Sequence, residues 1–126
     1  MRDYRLSLAD IFAAMVQARA FIEGMDIETF VADEKTVSAV IRQLEIIGEA
    51  AKNIPETIRR KYPHVPWRKM ARTRDKLIHG YFAVDNRLVW KTVTDRDLVP
   101  SVQPMIAQIL KDIAEEDALE QVEKET

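Results

Sequence analysis

Cysteine is absent from all 126 residues. That excludes a disulfide framework, a thiolate nucleophile and any Cys-ligated zinc or iron–sulfur site, and it fits a reducing compartment such as the cytoplasm. Glycine is scarce, at three residues, which argues against a β-rich or loop-rich architecture. No segment approaches the roughly 20 apolar residues of a membrane span. The opening MRDYRLSLAD is charged from its second residue and has no apolar core of a leader peptide, so the expectation is a soluble, unprocessed chain without a membrane partner. Histidine is limited to His64 and His79, too far apart for HExxH or HxxxH zinc pairs, and Asp and Glu cluster only near the C-terminus. Gly-rich phosphate loops are also missing. The chain is therefore expected to work without a metal or cofactor.

What is present is ordinary globular material, 47% hydrophobic and 32% charged, long enough for one domain with its own core. A formal net charge of −2 conceals a dipolar chain. Between Arg59 and Lys76 stand eight basic residues and one acid, a local charge of +7; from Asp112 to Thr126 stand seven acids and one lysine, a local charge of −6. The first stretch is an electrostatic footprint for a polyanion, and the second reads as a solvated face or frayed tail. A helical domain over residues 1–113 and an acidic tail over 114–126 are the expected units.

Apolar spacing predicts helices. Leu8, Ile11, Phe12, Met15, Ala18, Ile22 and Met25 recur at intervals of three and four, predicting a helix from about Arg5 to Gly24. A second is expected from Asp33, a capping residue, through Val37, Val40, Leu44, Ile47 and Ala51 to Ile54, with Gly48 inside it. Pro55 opens a short basic helix that stops at Pro63. The next is expected from Trp67 to His79, with Pro66 near its first turn and Gly80 as its exit. Asp85 or Asn86 caps a short helix through Val89 and Val93, and a last helix starts near Asp97. Pro104 predicts a kink there or a later start. The fold class is all-α, an up-and-down bundle of four to five helices.

Chemistry concentrates in Arg74-Asp75-Lys76-Leu77-Ile78-His79-Gly80-Tyr81. A guanidinium offers a planar fork for two phosphate oxygens, and an imidazole titrates where proton transfer near neutrality is easiest. On a regular helix Arg74 and Tyr81 share a face, while His79 lies about 140° around from Arg74. One phosphate meets both only if the helix ends at His79 or if a second subunit supplies the same motif across a two-fold axis. The plainer alternative is a solvated basic helix with a histidine favoured by the dipole at its last turn and a half-buried Tyr81.

The run from Pro66-Trp67 through Arg74, His79 and Tyr81 to Val84-Asp85 resembles the HepT-like group of HEPN proteins, whose signature is R-x4-H-x-Y after Pro-Trp. Gly48-Glu49-Ala50-Ala51, Tyr62-Pro63, Val89-Trp90 and Thr92-Val93 extend the likeness over roughly residues 4 to 112. The resemblance implies an HEPN-like bundle that forms a homodimer with the two motifs facing each other, and an endoribonuclease that cleaves RNA without metal. By residue it implies Arg74 and His79 as catalytic, Asp75 and Glu49 as site-supporting, and Tyr81 as the acceptor of a nucleotide. The donor would be a minimal nucleotidyltransferase antitoxin for which this chain is the toxin; the added phosphate charge beside Arg74 would silence it. Arg59, Arg60, Lys61, Arg68, Lys69, Arg72 and Lys76 are the expected RNA-backbone contacts. Arg72-Thr73 departs from the glycine and apolar residue usual before the motif arginine, which leaves two readings: altered RNA affinity, or a non-catalytic nucleotide- or RNA-binding adaptor. Glu49 also has a plainer role, as a helix-surface partner of Lys52.

Overall fold

The structure, a computed structural model, describes residues 3–79, 85–95 and 99–126, excepting the side chains at 74 and 76–79. Those residues form seven helices and no strand. The first, α1 (Tyr4–Phe21), starts where the Asp3 carboxylate accepts the Arg5 amide at 2.9 Å. It ends three residues before Gly24, which instead turns the chain at φ +79°, a conformation natural to glycine.

The second helix, α2 (Ile27–Ala32), was not expected from the apolar spacing. A reciprocal cap builds it: the Thr29 amide donates to Asp26 at 2.8 Å and the Asp26 amide donates to the Thr29 hydroxyl at 3.0 Å. Asp33 closes α2 and opens α3 (Glu34–Lys52), accepting from the Thr36 hydroxyl at 2.8 Å and its amide at 3.2 Å. The Thr29 amide and hydroxyl hold Asp26 below the ordinary carboxylate range, and the Thr36 hydroxyl and amide do the same for Asp33.

After Pro55 comes α4 (Glu56–Lys61), then α5 (Trp67–His79), with the expected bounds. Asp85 caps α6 (Asn86–Thr94) through the Arg87 and Leu88 amides. The last helix, α7 (Val99–Glu125), includes Pro104. Proline has no N–H to bond the Pro100 carbonyl, but Pro104 is exposed, and the helix begins before it rather than after it.

The bundle is organised around α3, which packs most extensively against α1 and α5; α1 also packs against α7. Arg5 reaches Asp117 and Arg19 reaches Gln103, so α1 and α7 run antiparallel. Leu8, Ile11, Met15 and Ala18 of α1 meet Val40, Leu44, Ile47 and Ala51 of α3 and Ile106, Ile109 and Ile113 of α7 in the core. Each large aliphatic side chain fully withdrawn from water there contributes about 1.5–3 kcal/mol before conformational entropy is counted. Phe30 of α2 is fully buried and lies against Trp90 of α6, ring centroids 5.3 Å apart. The acidic residues after Ile113 continue α7 as helix, with Glu116 bonded to Lys61 and Asp117 to Arg5. Among the described residues no helix is long and apolar enough to cross a membrane.

Candidate nucleic-acid interface

The turn between α4 and α5 fixes the site. Pro63 and Pro66 keep it out of helix, and Trp67 is 5% exposed, with its indole N–H donating to the Tyr62 carbonyl at 3.0 Å. The Tyr62 hydroxyl donates in turn to Asp112 of α7 at 3.1 Å; burial first, and then this bond to an anion, raise its pKa. His64 stays exposed, edge-on to the Tyr62 ring. The Pro-Trp pair of the sequence motif thus has a structural job: it pins the end of α4 to the start of α5.

That pinning opens a cleft of about 770 Å³ bordered by α4, α5 and α6. Its rim carries Arg59 from α4 and Arg68, Lys69 and Arg72 from α5. Its floor includes Val65, Pro66, Trp67, Val89 and the exposed side of Leu88. All four cations are exposed, and none pairs with a carboxylate among the described residues. The other expected RNA contacts differ. Arg60 is paired with Glu56 at 2.7 Å and Lys61 with Glu116 at 2.9 Å, and neither lines the cleft. Lys61 holds its proton more tightly because of its bond to Glu116.

Arg74, Lys76 and His79 belong to α5 by backbone, their side chains lying outside the description, and Gly80 and Tyr81 lie outside the described residues altogether. Register still relates them. Arg72 and His79 are seven residues apart, two turns, which puts their positions within about 20° of one another and about 10.5 Å apart along the axis. The face of α5 that borders the cleft therefore leads to the His79 position. Asp75 is fixed from α3, where the Lys52 ammonium donates to its carboxylate at 2.7 Å. Glu49 stands exposed one turn before Lys52 on α3. Gly48 beside it is buried where α3 meets its neighbours.

Sequence reasoning missed the contribution of α6. Leu88 and Thr92 line the cleft opposite α5, and Thr73 faces it from α5. The Thr73 hydroxyl donates to the Lys69 carbonyl at 3.0 Å and the Thr92 hydroxyl to the Leu88 carbonyl at 2.8 Å, so both present lone pairs outward. Thr92 was legible only as a position matched in the resemblance.

Exposed guanidinium and ammonium groups around an apolar-floored cleft, carried on an all-α bundle, give this face the charge that attracts polyanions. Residues 11–113 match the family Ribonuclease HepT-like. A Methanocaldococcus jannaschii protein carrying the provisional name RNase MJ0127 is 47% identical over 116 residues, 92% of this chain and 94% of its own. A Thermococcus cleftensis protein provisionally named ribonuclease HepT is 47% identical over 110 residues, 87% of this chain and 98% of its own. No solved structure matches. The chain belongs to the ribonuclease HepT-like family.

Proposed function

We propose that this protein is a metal-independent endoribonuclease and the toxin of a pair with a minimal nucleotidyltransferase antitoxin. The observation that carries this reading is the gathering of four cations with no carboxylate partner among the described residues, Arg59 of α4 with Arg68, Lys69 and Arg72 of α5, around a cleft whose α5 face leads to the His79 position. The names of the relatives agree with RNA as the polyanion. RNA enters along the cleft, its phosphates held by charge-assisted bonds to the rim. Arg74 grips the scissile phosphate and offsets the charge that builds on its oxygens. His79 takes the proton of the neighbouring 2′-hydroxyl as that oxygen attacks phosphorus; the bond to the 5′-oxygen breaks, and the leaving oxygen receives a proton.

Arg74 and His79 positions diverge by about 140° on one helix, so a homodimer that brings two copies of α5 together supplies a complete pair. Asp75, tethered by Lys52, orients the neighbouring arginine, and Glu49, one turn before Lys52 on α3, supports the site. Tyr81 is the acceptor through which the transferase silences the toxin, since an added nucleotide places phosphate charge in front of Arg74.

The test is a labelled structured RNA incubated with purified protein in EDTA, wild type beside His79→Ala. Wild type cleaves, and the variant is slower by about 10²–10⁴-fold while staying folded. Equal cleavage by both refutes the role of His79. Intact RNA with both, and an unmodified mass at Tyr81, refutes the nuclease in favour of a binding module.

A further inference from the structure

We infer that the cleft bordered by α4, α5 and α6 is a binding site for an unstacked base and its flanking phosphates in single-stranded RNA. This rests on the ribonuclease reading above and gives its cleft a second task, choosing strand form as well as holding charge. Three observations converge. The rim holds four cations that no described carboxylate neutralises, which suits consecutive phosphates of one strand. The floor is apolar, and Leu88 is 48% exposed there, an uncovered aliphatic surface of the sort a base's flat face would cover. The flanking hydroxyls of Thr73 and Thr92 are committed as donors to carbonyls of their own helices, so toward the cleft they act as acceptors, matching the exocyclic amino group of adenine or cytosine.

A duplex cannot use such a site, because its bases are paired and stacked and only its backbone is presented. A second copy of this chain is a poor occupant for a charge reason. An axis through the cleft would set Arg59, Arg68, Lys69 and Arg72 against their own equivalents, with no acid in the lining to answer them. Adjacent residues of α5 thus serve the site in two ways, Arg72 on the rim and Thr73 as an acceptor on the wall.

The probe is a ten-residue 2′-O-methyl oligoadenylate, which has no free 2′-hydroxyl to attack its own backbone, compared with an abasic strand bearing the same phosphates, a duplex of equal length, and AMP. Binding is read by fluorescence anisotropy for the strands and by the fluorescence of the protein's tryptophans for AMP. Wild type should prefer the base-bearing strand over the abasic one by about tenfold. Leu88→Asp, at an exposed position, should erase that preference, and Leu88→Met should keep it. Equal affinity of wild type for both strands overturns the base site, whether or not RNA is cleaved. AMP binding as tightly as the decamer overturns the strand assignment in favour of a free nucleotide. A fall in oligomeric state with Leu88→Asp, the base preference being unchanged, overturns it in favour of an interface between copies. Base preference without any RNA cleavage leaves the inference standing and removes the nuclease reading.

Discussion

Replacing Arg68 and Arg72 together by alanine isolates the electrostatic share of RNA binding. Both side chains are exposed on α5 and line the cleft without a carboxylate partner among the described residues, so their removal leaves the core untouched and deletes two positive charges from the rim. For single strands, each phosphate neutralised contributes about −0.7 to the slope of log affinity against log salt. Four rim cations engaging one phosphate each then give about −2.8, and a rise from about 50 to about 200 mM salt weakens binding roughly 50-fold. With two cations left the slope is about −1.4 and the same rise weakens binding roughly 7-fold. The assay is anisotropy of a labelled 2′-O-methyl strand across a salt series, with circular dichroism to verify folding. Arg60→Ala with Lys61→Ala is the matched comparison, since those cations are already paired with Glu56 and Glu116. It should change the slope less than half as much as the cleft pair does. An unchanged slope in the cleft variant, or an equal change in the comparison, refutes the assignment of the phosphate track to the cleft.

Other outcomes follow from the same geometry. Lys52→Met removes the bond to Asp75 and should lower cleavage through kcat while stability changes by less than about 1 kcal/mol, as expected of a half-exposed pair; a loss of folding in thermal melts would refute a positioning role. Ending the chain after Ile113 removes six acids and one lysine and takes the formal net charge from −2 to +3. RNA association at low salt should become faster in stopped flow, and a slower rate would mean that the acidic helix aids binding. The Ser7 hydroxyl is buried with no hydrogen-bond partner among the described residues, so Ser7→Ala should be neutral or stabilising by up to about 1 kcal/mol in urea melts, and a clear loss would show an unrecognised contact. Asp26 and Asp33 have folded pKa values below their unfolded ones, so the stability they add is present above the ordinary carboxylate pKa of 3.8 and is lost as pH falls through the depressed folded values. Asp33→Asn should flatten the acid limb of the melting curve, and an unaltered limb would remove Asp33 from the account.

Much of the fold was written in local signals. Asp33 marked the start of α3, Asp85 or Asn86 that of α6, where Asp85 is the cap, and the run from Trp67 to His79 was bounded by Pro66 and Gly80 in the sequence; α5 has those limits. The missed helix, α2, buries only Phe30, so it has no apolar period to detect; its signal was the Asp26–Thr29 cap. Helix α1 ends sooner than its apolar spacing implies, because Gly24 lies in the turn beyond the helix rather than at its last residue. The candidate site was legible as charge but not as shape. Spacing put eight basic residues between Arg59 and Lys76, yet which remain available depends on partners distant in sequence, such as Glu116 for Lys61. The apolar floor needs α5 and α6 both packed on α3 so that they line one cleft, a long-range arrangement that no window of sequence contains.

Asp33 leaves no slack between α2 and α3, since one carboxylate terminates the first and starts the second. Phe30, one turn earlier, is seated in the core with its ring tilted against Trp90, and Trp90 is two residues from both Leu88 and Thr92 on the cleft wall. At its other end α3 holds Asp75 through Lys52. The two ends of α3 thus form a single mechanical train, joining the seam beside Arg74 to the wall that would meet a base. A shift of α3 along its axis would move both ends in step, so the proposed base wall and the proposed cleavage motif would be displaced together.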